Sequence, residues 1–283
     1  MTSTAVQPLL RLDGVELTYP NGTRALSGTT LEFYEGEFTV VLGLSGAGKT
    51  SLLRCINLLQ KPTGGAIISS VVGLLERKAR IRAHRRRTAM VFQHHQLLPR
   101  FSALHNVLTG RLGHHGTLRS LLPLPQADIA LAFDCLERVG LADKALTRVD
   151  NLSGGQMQRV GVARALAQQP DTLLADEPVA SLDPATADKV LSLLRRVCQE
   201  DAITAVVSLH QVELATRFAD RIIGLAQGEV VFDGPPSALT TQVLGIIYDR
   251  RAADAASAQQ HPEPDQSGLA ASSSRPPLQE HQS

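Results

Sequence analysis

Eight residues, Gly43-Leu44-Ser45-Gly46-Ala47-Gly48-Lys49-Thr50, follow the order glycine, any four residues, glycine, lysine, hydroxyl. That order suits a phosphate cradle. Glycines let successive backbone N–H groups turn toward one anion without a Cβ in the way, and a helix beginning at the loop's end adds its partial positive charge. Lys49 would reach the β- and γ-phosphates and the Thr50 hydroxyl would ligate Mg²⁺, so the loop reads as a nucleotide triphosphate site. Further along, Asp176-Glu177-Pro178 closes the apolar run Thr172–Ala175. A carboxylate at such a strand end matches the aspartate that holds Mg²⁺ in phosphate-loop enzymes, and Glu177 beside it can serve as general base toward water. By itself an acidic pair after an apolar run also reads as a solvated turn; the loop at Gly43–Thr50 favours the catalytic reading. His210 ends another apolar run, Ala205–Leu209, and is expected at the γ-phosphate, with a structural histidine as the alternative.

These residues need elements to hold them. A β-branched run, Thr39-Val40-Val41, leads into the loop, and a helix with Leu52, Leu53, Ile56 and Leu59 on its inward face is expected to leave it. Strands are expected at Val15–Tyr19, Thr39–Leu42, Met90–Phe92, Thr172–Ala175, Thr204–Leu209 and Glu229–Phe232. In a parallel sheet the strand end bearing His210 should lie beside the one bearing Asp176. Between about Ser102 and Asn151 strand signals vanish, and Asp128–Val139 has helical spacing. The expected class is therefore α/β: a mainly parallel sheet flanked by helices, with a helical insert at about 94–160. Positions 1–250 form the folded domain. Beyond Arg251, alanine, serine, glutamine and proline dominate, and 251–283 reads as a disordered tail.

Composition excludes several classes. The 283 residues are 43% hydrophobic and 19% charged with a formal net charge of +1, which gives no support to electrostatic nucleic-acid binding. Cys55, Cys135 and Cys198 fit no disulfide or zinc spacing and read as small buried thiols of a reducing compartment. Neither a secretory signal nor a membrane span is expected, so partners must supply any span. His94-His95 and His114-His115 have no ligand partners at useful spacing.

Asn151-Leu152-Ser153-Gly154-Gly155-Gln156 precedes a helical stretch through Ala167. Ser153 and Gln156 have capping-box spacing, which leaves the two glycines unexplained, because each costs a helix about 1 kcal/mol relative to alanine. Leu152–Gln156 resembles the signature of ATP-binding-cassette ATPases. The order Tyr19, phosphate loop, Gln93, signature, Asp176-Glu177, Ser181-Leu182-Asp183, His210 is similar to that family from about Leu9 to Asp249.

The resemblance implies an ATP-hydrolysing, P-loop-type fold with an antiparallel β subdomain and a helical subdomain. Tyr19 would stack on adenine, Ser51 would join the loop's nucleotide contacts, and Gln93 would contact Mg²⁺ and the attacking water. Ser153–Gln156 would close over ATP held by a second copy in a head-to-tail dimer, with Asp183 crossing that interface. Within the family, Gly110-Arg111-Leu112-Gly113 with Thr117-Leu118, Leu209-His210-Gln211-Val212, Ala219–Leu225 and Val231–Gly234 most resemble the ATPase of phosphonate importers. Membrane permease subunits, a periplasmic phosphonate-binding protein and a seat on the cytoplasmic face of the inner membrane are then expected. Cargo would be phosphonate or a related phosphite-type oxyanion. The other reading is an importer ATPase for another solute, or a soluble cassette ATPase of an assembly such as carbon–phosphorus lyase. The chain departs from the family over Thr63–Thr88. Ser69-Ser70-Val71-Val72-Gly73 replaces the usual turn, and a basic stretch, Arg77–Arg87, reads as a solvated helix face or a surface for an acidic partner or lipid headgroups.

Overall fold

The computed structural model describes residues 7–93, 96–115 and 124–248. The chain divides into two units, Met1–Asp249 and Arg250–Ser283; the expected tail lies outside the described residues. The first unit begins with β1 (Leu10–Thr18), β2 (Arg24–Phe33), β3 (Phe38–Leu42), α1 (Lys49–Ile56), β4 (Gly64–Ser69), β5 (Gly73–Leu74), α2 (Lys78–Arg87) and β6 (Thr88–Val91). Three helices follow, α3 (Ala103–Leu108), α4 (Gln126–Arg138) and α5 (Gly154–Ala167), then β7 (Thr172–Asp176) and α6 (Pro184–Glu200). β8 (Thr204–Ser208), α7 (Val212–Phe218), β9 (Arg221–Ala226), β10 (Glu229–Gly234) and α8 (Thr241–Ile247) complete it.

The strands form two sheets, ordered β2-β1-β4-β5 and β10-β9-β3-β8-β7-β6. In the second, β9, β3, β8, β7 and β6 run parallel and β10 joins antiparallel at one edge. Every residue of β3, β7 and β8 is buried, as expected of parallel strands covered on both faces. Alternation along β3 divides its side chains between two cores. Val40 and Leu42 pack with α4, α5 and α6, whereas Val41 packs with α1 and the antiparallel sheet.

The first sheet corrects one expectation. Thr63–Thr88 contains an ordinary hairpin, with β4 and β5 paired Ile68↔Leu74 and Ser69↔Gly73. Gly73, at φ +77°, supplies the left-handed residue that an Asn-Gly turn would have given. The basic stretch is α2, but three of its arginines are tied down, Arg80 to the Leu74 carbonyl at 3.3 Å. Arg85 donates to the carbonyls of Asn57 and Leu58, and Arg87 pairs with Asp171. A second correction concerns the helix after the phosphate loop. Leu52, Leu53 and Ile56 are buried as expected, but α1 stops at Ile56, Leu58 turns left-handed at φ +53°, and Leu59 is 48% exposed. Arg85 satisfies carbonyls there that further helix would have bonded.

No helix among the described residues is long and apolar enough to cross a membrane. The three cysteines are buried, and burial pushes their thiols up to about 12 for Cys55 and Cys198 and about 11 for Cys135.

Candidate functional site

Gly43-Leu44-Ser45-Gly46-Ala47-Gly48 bridges β3 and α1, pressed against neighbouring backbone on two sides. A Cβ on Gly48, where φ is +105°, would lie 2.5 Å from the Ala25 carbonyl oxygen; one on Gly43 would lie 2.4 Å from that of Leu225. The amide of Gly228 donates to the Ala47 carbonyl at 3.0 Å and holds the β9–β10 turn against the loop. Gly48 caps α1 without a side-chain acceptor, so the first-turn N–H groups of α1 face outward unclaimed by any cap side chain. A helix start of that kind, behind a glycine loop, is an anion site.

The catalytic candidates converge at the carboxyl ends of three adjoining strands. β8 lies between β3 and β7, with Asp176 paired to Ser208 in register. The Thr50 hydroxyl donates to Asp176 Oδ1 at 2.9 Å, spanning from the loop helix across the end of β8. Asp176 and Lys49 are each only 4% exposed. Lys49 Nζ donates to the carbonyls of Gly43 and Leu44 at 2.9 and 3.0 Å, and lies 3.8 Å from Glu177 Oε1 and 3.4 Å from His210 Nδ1. Burial holds its ammonium below the usual lysine range, partly offset by the carboxylates of Glu177 and Asp176. Glu177 Oε1 in turn meets His210 Nε2 at 2.5 Å. Glu177 has a left-handed backbone, φ +47°, which ends β7 and turns its side chain out of the strand's alternation.

One participant was not among the expected residues. Ser208, fully buried, donates to Asp176 Oδ1 at 3.0 Å and accepts from the Glu177 amide at 2.9 Å. A hydroxyl closing the buried central strand after Ala205-Val206-Val207, two residues before a candidate histidine, is the signal that could have found it.

Tyr19 lies just past β1, and its hydroxyl is 3.0 Å from Ser51 Oγ in the first turn of α1. Gln93 is half-buried in the turn after β6. It stands two residues past Val91, as Glu177 stands two past Ala175, the residue paired with Val91. His94, His95, Thr117 and Leu118 lie outside the described residues. His114 and His115 are engaged locally: Nε2 of His114 meets the Gln168 carbonyl at 2.9 Å, and His115 meets Asp128 at 2.6 Å.

The glycine pair occupies a separate groove, shared with Ser181, Leu182, Asp183 and Thr186. Ser153 and Gln156 form a reciprocal capping box at the start of α5. Gly155 has a reason inside the chain, since a Cβ there would lie 2.6 Å from Thr186 Cγ2; Gly154 has only an ordinary contact, 3.8 Å to Leu182. Asp183 caps α6, accepting from the Thr186 amide at 3.0 Å, and its carboxyl is held below the usual range first by the Thr186 side chain and then by that amide.

A parallel sheet whose glycine loop opens a helix beside a buried aspartate and a histidine-bearing strand end defines a phosphate-loop nucleotide-binding protein. Comparison with known proteins places it within that class. Residues 26–180 match the ABC transporter family model. The phosphite import ATP-binding protein PxtA of Stutzerimonas stutzeri is 62% identical over 89% of this chain and 91% of its own length. Phosphonates import ATP-binding protein PhnC 1 of Trichodesmium erythraeum is 58% identical over 85% and 95%. A solved ATP-binding cassette, dimeric in a post-hydrolysis state with ADP and Pi, superposes with a TM-score of 0.70 at 34% identity, covering 80% of this chain and 98% of its own. The chain belongs to the ABC transporter family.

Proposed function

We propose that this chain binds and hydrolyses ATP to drive a membrane importer for phosphonate or a phosphite-type oxyanion. The observation that carries the enzymatic part is the meeting of Lys49, Thr50, Asp176, Glu177 and His210 at one sheet edge. The cargo rests on the names of the relatives described above.

Gly43–Thr50 and Ser51 cradle the triphosphate, with Tyr19 beside Ser51 placed to face the base. Thr50, Asp176 and Gln93 offer a hydroxyl, a carboxylate and an amide oxygen, an all-oxygen set that suits Mg²⁺. When bound, the ion draws charge from the β- and γ-phosphate oxygens. Lys49 binds the same oxygens. Glu177 accepts a proton from water as the water oxygen bonds to the γ-phosphorus and the bond to the ADP oxygen breaks, leaving ADP and phosphate. His210, sharing Glu177 Oε1, orients that carboxylate and reaches the γ-phosphate.

Positions 1–250 are the ATPase domain, with a helical insert at about 94–160. The Ser153–Gln156 turn and Asp183 serve a second copy, packed head to tail, whose ATP the turn closes over. Permease subunits dock near Gln93, where a groove lined by Arg82, Arg86, Leu112 and Phe92 offers basic and apolar contacts. A periplasmic phosphonate-binding protein joins through the complex at the inner membrane, and no nucleic acid is involved.

Deleting the gene and supplying phosphonate or phosphite as sole phosphorus source tests the cargo: growth should fail on one of them and return with the intact chain. Growth of the deleted strain on both would refute it. Co-purification with soluble enzymes in place of a multi-span permease would refute the transport role.

A further inference from the structure

We propose that Ser208 is the positioning residue that sets both carboxylates of the ATPase site, a reading that rests on the ATP hydrolysis proposed above. The hydroxyl has one proton to give and lone pairs to accept with. It gives the proton to Asp176 Oδ1 and accepts from the backbone amide of Glu177. One fully buried side chain on the central strand thus sets the side chain of one carboxylate and the backbone of the next.

Thr50 donates to the same Asp176 oxygen as Ser208, which leaves Oδ2 outside both bonds. If the Thr50 hydroxyl turns to Mg²⁺, Ser208 remains as the donor that keeps the Asp176 carboxylate in its orientation. The amide it accepts from belongs to a residue in the left-handed region, φ +47°, a conformation that a glutamate adopts only when its surroundings hold it there. Apolar packing does not require a hydroxyl here. Val206 and Val207, which precede it in the same buried strand, are apolar.

The test is a Mn²⁺ titration of the full chain with ATP kept below the chain concentration, read by the loss of the free-ion paramagnetic resonance signal beyond that caused by the same ATP without the chain. Ser208→Ala should raise the half-saturating Mn²⁺ concentration about tenfold or more, the usual scale for partners that orient metal ligands. ATP affinity measured in EDTA should stay within about twofold, because the loop and Lys49 are untouched by the change. A purely structural role would lower the melting temperature or the active fraction and leave the Mn²⁺ midpoint in place; that result overturns the proposal. Ser208→Cys keeps the size with a weaker donor, so its midpoint should fall between those of wild type and Ala. The same titration on the Cys variant decides the question if Ser208→Ala does not fold. A wild-type chain that takes up no more Mn²⁺ with ATP than ATP does alone removes the ATPase reading itself, whereas a normal wild-type curve with unshifted variants removes only the role of Ser208.

Discussion

Glu177→Gln exchanges a carboxylate oxygen for an amide while keeping the side chain's shape, the left-handed backbone and the amide bond to Ser208. It removes the proton acceptor. General bases contribute about 10²- to 10⁴-fold, so kcat should fall by that factor, about 3 to 5 kcal/mol of barrier. Binding should respond in the opposite direction. Glu177 lies 3.8 Å from Lys49 with both side chains largely buried, a gross attraction of about 4 kcal/mol at an effective dielectric near 20. Removing that charge leaves Lys49 free for phosphate and takes away a repulsion, so ATP should bind as tightly as in wild type or more so. The assay pairs phosphate release at saturating ATP with equilibrium binding of the unhydrolysed nucleotide. A variant hydrolysing within about threefold of the wild-type rate, or one that loses ATP binding, would refute the assignment of Glu177.

Gly48→Ala should abolish ATP binding or folding, since its Cβ would lie 2.5 Å from a backbone oxygen in a left-handed conformation; circular dichroism and nucleotide binding check it. Gly155→Ala should lower the melting temperature, and Thr186→Ser, which removes the obstructing methyl 2.6 Å away, should restore it; equal losses in single and double variants would deny the contact. Asp220 is held below the usual carboxylate range chiefly by Arg195, which it meets at 2.5 Å. Its contribution to stability is complete above the unfolded value of about 4 and disappears as pH falls through the lowered folded value. Asp220→Asn should therefore destabilise at pH 7 and converge on wild type in acid; a constant gap in denaturation midpoint would contradict this. A Lys49→Ala chain mixed equally with a Ser153→Arg chain should recover about a quarter of wild-type turnover, because half the dimers pair the two and each keeps one intact composite site. No recovery would refute sites built across two copies.

Four of the five parallel strands were legible because each is a short apolar run buried on both faces, as in Thr172–Ala175 and Thr204–Leu209, and the loop because its chemistry is local; the fifth, β9, was not among the expected strands. β2 was not legible. Its burial changes phase around Ser27 and Gly28, so no simple alternation survives over Arg24–Phe33. The end of α1 was equally hidden, since the Arg85 side chain that satisfies its carbonyls comes from another helix 27 and 28 residues away. Within the site, Thr50 meets Asp176 across 126 residues and Ser208 meets it across 32. Residue type suggested which groups do chemistry, while strand order decided which of them share an oxygen.

Charge explains why the proposed function needs more than the phosphate loop. Two carboxylates, Asp176 and Glu177, stand beside one lysine that already donates to two backbone carbonyls. A triphosphate brought there adds strong negative charge to a site whose single buried cation is partly neutralised. The loop amides and the start of α1 offset some of it. A divalent cation held by Thr50 and Asp176 would turn that carboxylate from a repulsive group into a ligand. What remains is the outer face of the γ-phosphate, where a second copy can present the start of α5. That helix opens with Gly154, whose missing Cβ has no close neighbour within its own chain. Gly155 and Asp183 are explained by packing and capping; in the proposed dimer Gly154 would lie against the nucleotide held by the second copy.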